Sequence, residues 1–192
     1  MITCDSPGLA PVDQALESLL NFVQPKPGSA TIALADADGR VLAEDIHSSL
    51  NVPPADNSAM DGYAVRAADL AAGDTLKLAG KSMAGHPFIG QMKAGECIRI
   101  MTGAVMPDGA DTVVMQENTE VAGEGLIRFP HPAEQGDNVR LCGEDIRSGQ
   151  QILASGRRLR PADLGLLASI GIAQVSVKPR IKVALMATGD EL

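Results

Sequence analysis

The chain has 192 residues, of which 45% are apolar and 2% aromatic, and its formal net charge is −8. The apolar share excludes wholesale disorder, and the scarcity of aromatics leaves a core to Leu, Ile, Val, Ala and Met. The negative charge argues against nucleic acid or a membrane surface as a general partner. Cys4, Cys97 and Cys142 are far apart and form no C-x-x-C pair, which suits a reducing cytoplasm better than a disulfide framework or a zinc site.

Val12, Ala15, Leu16, Leu19, Leu20 and Val23 recur at helical spacing, so one apolar stripe runs along a helix that Pro11 opens and Pro25 closes. Such a stripe must be buried against another element or another subunit. Thr31–Leu34 reads as a short strand, and Asp38-Gly39 as a turn ahead of Val41-Leu42. From Pro53 to Cys142 short apolar runs (Thr75–Leu78, Cys97–Met101, Thr112–Met115, Leu126–Phe129) alternate with Gly-rich turns, the pattern of a mostly β insertion. Pro161 then opens a helix through Leu164, Leu167 and Ile170 that Gly171 caps, and Ile172–Val177 is a strand. Ile181, Val183 and Leu185 alternate in a further strand before Thr188-Gly189-Asp190-Glu191-Leu192. The expected fold is α+β. A discontinuous helix-and-strand domain comes from residues 1–50 and 143–180, an inserted mainly β domain from 51–142, and the first strand of a further domain from 181–192. The chain thus reads as part of a longer protein.

The densest polar segment is Asp56-Asn57-Ser58-Ala59-Met60-Asp61-Gly62-Tyr63, which holds the only tyrosine. It reads as an ordered loop whose polar groups have partners, because an unpaired buried polar group costs about 1–3 kcal/mol. Its two carboxylates could bind magnesium through oxygen ligands or direct a water onto a phosphate ester. The same spacing also fits an Asx-turn in which Asp56 and Asn57 cap their own backbone. In Arg99-Ile100-Met101-Thr102-Gly103-Ala104, N–H groups near Gly103 could cradle an anion, although an ordinary strand-end turn looks the same. Glu117 reads as a strand-end charge. Arg140 stands near Glu144 and Asp145 around Gly143. An arginine fork matches phosphate geometry, but a surface ion pair of small energy fits equally.

In order along the chain, Val52-Pro53-Pro54-Ala55-Asp56-Asn57-Ser58-Ala59-Met60-Asp61-Gly62-Tyr63-Ala64, Arg99–Ala104, Gly143-Glu144-Asp145-Ile146 and Thr188-Gly189-Asp190-Glu191-Leu192 resemble the molybdopterin molybdenumtransferase family, of the MoeA and gephyrin E type. One departure is Ala55, where many members carry a larger residue. The resemblance implies a cytoplasmic, magnesium-dependent enzyme of molybdenum cofactor biosynthesis. It would take molybdate and adenylylated molybdopterin, insert molybdenum and release AMP. It implies a homodimer, with molybdopterin adenylyltransferase as the upstream partner and no nucleic acid or membrane. By motif match, Asp61, Asp145 and Glu191 would be catalytic, with Asp61 and Asp145 as metal ligands; Thr102, Arg140 and Ser58 would contact substrate. The family's pterin-binding domain would begin near Ile181, with 181–192 as its first strand and Glu191 within it, and the rest of it and the C-terminal domain would lie beyond Leu192, so the chain by itself is expected to be inactive. The alternative is a non-catalytic dimerisation or scaffolding module of the same family.

Overall fold

The structure, a computed structural model, describes residues 10–24 and 26–185. Its elements in chain order are α1 (Val12–Phe22), β1 (Ala30–Ala33), β2 (Ile46–His47), β3 (Asn57–Ser58), β4 (Gly62–Val65), α2 (Ala67–Ala72), β5 (Thr75–Ser82), β6 (Glu96–Ile100), β7 (Thr112–Met115), β8 (Glu120–Gly123), β9 (Leu126–Arg128), β10 (Val139–Arg140), β11 (Gln151–Leu153), α3 (Pro161–Ser169) and β12 (Gln174–Val177). The class is α+β. The chain divides into two compact units, one running up to Asp45 and resuming at Leu153, the other spanning Ile46–Ile152.

In the discontinuous unit β1 pairs antiparallel with β12, Ala30 opposite Val177 and Ala33 opposite Gln174. Alternation along β12 turns Val175 and Val177 inward, and Leu34, Ala37, Leu42, Leu153, Leu159, Leu167 and Ile170 are buried with them. Pro161 begins α3 because its missing N–H is not needed in a first turn. Asp163 accepts the Arg160 N–H at 3.0 Å and closes that end. Beyond the helix, Gly171 takes the left-handed conformation, with φ +80°. In α1 none of the residues is buried: Val12 is 81% exposed, Leu19 66% and Phe22 85%. The apolar stripe legible in the sequence is therefore present and uncovered. Ile181, Val183 and Leu185 are exposed and pair with no described strand, so the expected strand is not formed over residues 181–185. A strand exists only with a ladder partner, and its remaining residues lie outside those described.

The continuous unit is built on a six-stranded sheet in the order β7-β4-β6-β5-β9-β8. All neighbours are antiparallel except β5 and β6, which are parallel. Successive residues feed opposite faces. Ala64, Ile98, Ile100 and Val113 join one buried cluster, and Val65, Cys97, Val114 and Ile127 the other. The segment from Asp56 to Arg66, expected as a loop, contributes two strands, β3 and the sheet strand β4. Asn57 and Ser58 form β3 and Asp61 lies in the turn before β4, while Gly62 lets two backbones meet. A Cβ there would stand 2.0 Å from the Val114 carbonyl oxygen. Where the chain enters and leaves this unit it pairs with itself. Ser48 N–H donates to Gln150 O at 2.9 Å and Val52 N–H to Ile146 O at 2.7 Å. That pairing carries residues 46–50 and 143–152 into the unit, where the sequence placed boundaries at 50 and 143.

Candidate functional site

The two-residue strand β3 lies between two segments that carry candidate residues. On one side Gly103 N–H donates to Ser58 O at 2.8 Å and Ser58 N–H to Ala104 O at 3.0 Å. On the other, Ser58 faces Val139 and Asn57 faces Arg140 across the pairing with β10. Beyond β3 the chain turns at Asp61 and enters β4. The first side places Thr102 beside Asp61, and the second places Arg140 at the start of the loop carrying Glu144 and Asp145.

Asp61 is fixed by one residue. The backbone N–H of Thr102 donates to Asp61 Oδ1 at 2.7 Å and the Thr102 hydroxyl to the same oxygen at 2.8 Å. These two bonds, with the Arg99 charge adding to them, hold the Asp61 carboxyl below the usual aspartate range. Asp61 Oδ2 accepts no hydrogen bond among the described residues. The carboxylate lines a cleft of about 310 Å³ with Met60, Thr102, Met115, Gln116 and Glu117. Thr102, expected to contact an anion, instead spends both donors on Asp61 and serves as its positioning residue.

Arg99 underlies this cleft. Its guanidinium donates to Gly62 O at 2.6 Å and Ile100 O at 3.2 Å, binds the Gln116 side chain, and lies 5.2 Å from the centre of the Tyr63 ring. Tyr63 meets Phe129 edge to face with ring centres 6.1 Å apart. The sequence reading missed Arg99, Gln116 and Glu117 as parts of one site. The signal for Arg99 was a charge inside an otherwise apolar run, Cys97-Ile98-Arg99-Ile100, which demands partners on the sheet.

The second cluster is an ion-paired loop. Arg140 Nη2 lies 2.7 Å from Asp145 Oδ1 and Arg140 Nε 3.5 Å from Glu144 Oε1. Asp145 and then Glu144 push the Arg140 guanidinium pKa up. Asp56 accepts the Cys142 N–H at 2.7 Å, and Gly143 N–H donates to Pro53 O at 2.9 Å, which pins the loop to the Pro-rich segment. Asp56 therefore staples a distant loop and does not form the self-capping Asx-turn. Gly143 has φ +72°, and a Cβ there would meet Asn51 Oδ1 at 3.2 Å. Cys142 is exposed, and Cys97 is buried, which pushes its thiol up to about 12.

The expected site residues thus fall into two groups, Asp61 with Thr102 and Arg140 with Asp145. Ser58 is withdrawn from substrate contact. It is 1% exposed, its hydroxyl donates to Met60 O at 2.5 Å, and the Met60 N–H donates back at 3.2 Å. Glu191 lies outside the described residues. Among the described residues no group of three or more His, Cys, Asp or Glu side chains could hold a metal ion. The donors fit magnesium only in its usual substrate-bridged form, with one or two carboxylates beside phosphate oxygens and water. Asp61 lines the cleft together with Glu117, whereas Asp145, expected as the second metal ligand, is paired with Arg140 in the other cluster. No described helix is long and apolar enough to cross a membrane.

Comparison with known proteins agrees with these motifs. The family model for the MoeA N-terminal region, domain I and II, matches residues 10–171. A protein of Haemophilus influenzae named molybdopterin molybdenumtransferase is 44% identical over 181 residues, covering 94% of this chain and 45% of that protein. One of the same name from Bacillus subtilis is 37% identical over 190 residues, covering 95% of this chain and 44% of its own length. The crystal structure of a molybdopterin biosynthesis MoeA protein from Pyrococcus horikoshii OT3 superposes with a TM-score of 0.83 at 35% identity, over 88% of this chain and 46% of that one. The chain spans less than half the length of these relatives, and it belongs to the MoeA family, matching that family's N-terminal region of domains I and II.

Proposed function

We propose that this chain is the N-terminal part of a cytoplasmic enzyme that inserts molybdenum from molybdate into adenylylated molybdopterin and releases AMP. The observation that carries the reading is the Asp61 carboxylate, held by two hydrogen bonds from Thr102 at the wall of an open cleft. An acidic protein that receives an anionic pyrophosphate ester needs counter-charge at the point of contact. Asp61 and Glu117 would hold magnesium there, and the ion would neutralise and polarise the phosphate. Thr102 orients Asp61 through both of its hydrogen bonds. Arg99 orders the cleft floor through Gly62 and Gln116. Arg140 is the second cationic contact, held in place by Asp145 and Glu144 until an anion competes for it. Molybdopterin adenylyltransferase would supply the adenylylated substrate.

The test uses the full-length protein. Asp61→Asn should abolish most insertion activity while melting like the parent. Full activity in that variant, or loss only in step with stability, overturns the assignment.

A second reading, assembly through the discontinuous unit, is favoured by one observation, the uncovered apolar stripe of α1. Its occupant is a second copy of the chain. The homodimer and the insertase are compatible, whereas a pure scaffold would leave the Asp61 cleft without a purpose.

A further inference from the structure

A cavity of about 520 Å³ opens in the discontinuous unit, remote in sequence from the Asp61 motif. Lys26, Arg40, Arg158, Lys178 and Arg180 line it. The chain has 16 basic residues against 24 acidic ones, so five of its few cations converge on one hollow. None of the five forms an ion pair among the described residues, whereas Arg66, Arg128, Arg140 and Arg157 all do. Asp38, the one acid in the lining, pairs with none of them.

Backbone carbonyls hold three of these side chains in place. Arg40 Nη2 donates to Lys178 O at 2.9 Å, Lys26 Nζ to Arg180 O at 3.0 Å, and Arg158 Nε to Gly39 O at 3.3 Å. Each bond uses one N–H and leaves the others to point elsewhere. Like charges gathered in this way repel unless counter-charge is supplied, and a concave site focuses their field. Val41, Pro179 and Ile181 add an apolar wall. Cations converging on a partly apolar hollow of this size suit a small molecule that carries several anionic oxygens on a compact ring body.

We propose that this cavity is a binding site for an oligophosphate ester, separate from the Asp61 cleft. The inference goes beyond the insertase reading and does not depend on it.

The experiment is calorimetric titration of the chain, at fixed ionic strength, with inorganic phosphate, pyrophosphate and ADP as probes. Saturable binding is expected for pyrophosphate and ADP, tighter for ADP, with phosphate weakest. Arg158→Gln/Arg180→Gln should weaken ADP by about tenfold or more, since each charge-assisted hydrogen bond contributes on that scale. A control that removes two exposed lysines of the other unit, Lys77→Gln/Lys81→Gln, should leave ADP affinity within about twofold. Thermal melting of each variant confirms that it folds. Three outcomes overturn the proposal: no saturable binding of ADP or pyrophosphate at millimolar concentration, equal loss in both double variants, or a poly-glutamate peptide binding more tightly than ADP, which would make the hollow a protein-docking site.

Discussion

Thr102 gives both its backbone N–H, at 2.7 Å, and its hydroxyl, at 2.8 Å, to a single oxygen of Asp61. These bonds anchor one oxygen of a carboxylate that lines the cleft, and the other oxygen accepts no hydrogen bond among the described residues. Thr102→Val keeps the backbone bond and the shape but removes the hydroxyl. The Asp61 pKa should then rise toward its ordinary value of 3.8, because one of the bonds that lower it is gone. Carbon-detected NMR titration of the aspartate carboxyls reads this directly, and an unchanged Asp61 titration would remove Thr102 from its positioning role. In the full-length enzyme the same variant should lose about tenfold in insertion rate.

Gly62→Ala should be among the most damaging single changes. The added carbon would stand 2.0 Å from Val114 O and 2.8 Å from Val114 C, so β4 and β7 would have to part. A loss of at least 3 kcal/mol, roughly, is expected from breaking a buried ladder. A urea melt that matches the parent would show that the two strands separate easily.

Acid should destabilise the chain in a defined window. Asp61, Asp69, Asp74 and Asp163 all have folded pKa values lowered from 3.8, each chiefly by a hydrogen bond to its carboxylate. A depressed carboxyl adds stability above the unfolded pKa, and that stability is lost as pH falls through the folded value. Melting temperature should therefore stay level from neutrality to about pH 5 and fall below pH 3.8. Asp163→Asn, which loses the Arg157 pair at 2.8 and 3.1 Å, should melt roughly 5 °C lower at neutral pH and show a shallower acid slope. Parallel acid slopes in the two proteins would rule Asp163 out as a source of the acid sensitivity.

Asp145→Ala in the full-length enzyme should lower insertion activity while leaving the melt close to the parent. The Arg140–Asp145 pair is solvent-exposed on both sides, at 39% and 49%, so its removal costs little fold stability. The paired readout is rate and melting temperature, and a rate equal to the parent removes Asp145 from the site. The 192-residue chain alone, which spans 45% of its Haemophilus relative, should give no insertion above a no-protein control.

Leu16→Glu/Leu19→Glu should convert a dimer into a monomer without unfolding it. Both side chains are exposed in the isolated subunit, at 53% and 66%, so charge at these positions costs nothing until a second copy docks. Light scattering of parent and variant decides the matter: a parent that is monomeric at tens of micromolar, roughly the range in which an obligate dimer stays assembled, removes the proposed interface.

Periodicity alone located α1, the strand Thr112–Met115, and the Pro161 helix with its Gly171 cap, because those signals are local: spacing, a fixed proline φ and a left-handed glycine. The motif order along the chain likewise carried the family, since each motif is a short contiguous word. What the sequence could not decide was which words meet. Asp61 and Thr102 are 41 residues apart, and they touch only because β4 and β6 are sheet neighbours. Ser58 carries the same hydroxyl chemistry as Thr102, yet the pairing of β3 with β10 on one side and Gly103–Ala104 on the other buries it. The cations of the second cavity lie in four stretches, at residues 26, 40, 158 and 178–180, each unremarkable alone. Local propensity fixes elements, whereas sites arise from long-range register, and register is set by burial of both sheet faces at once.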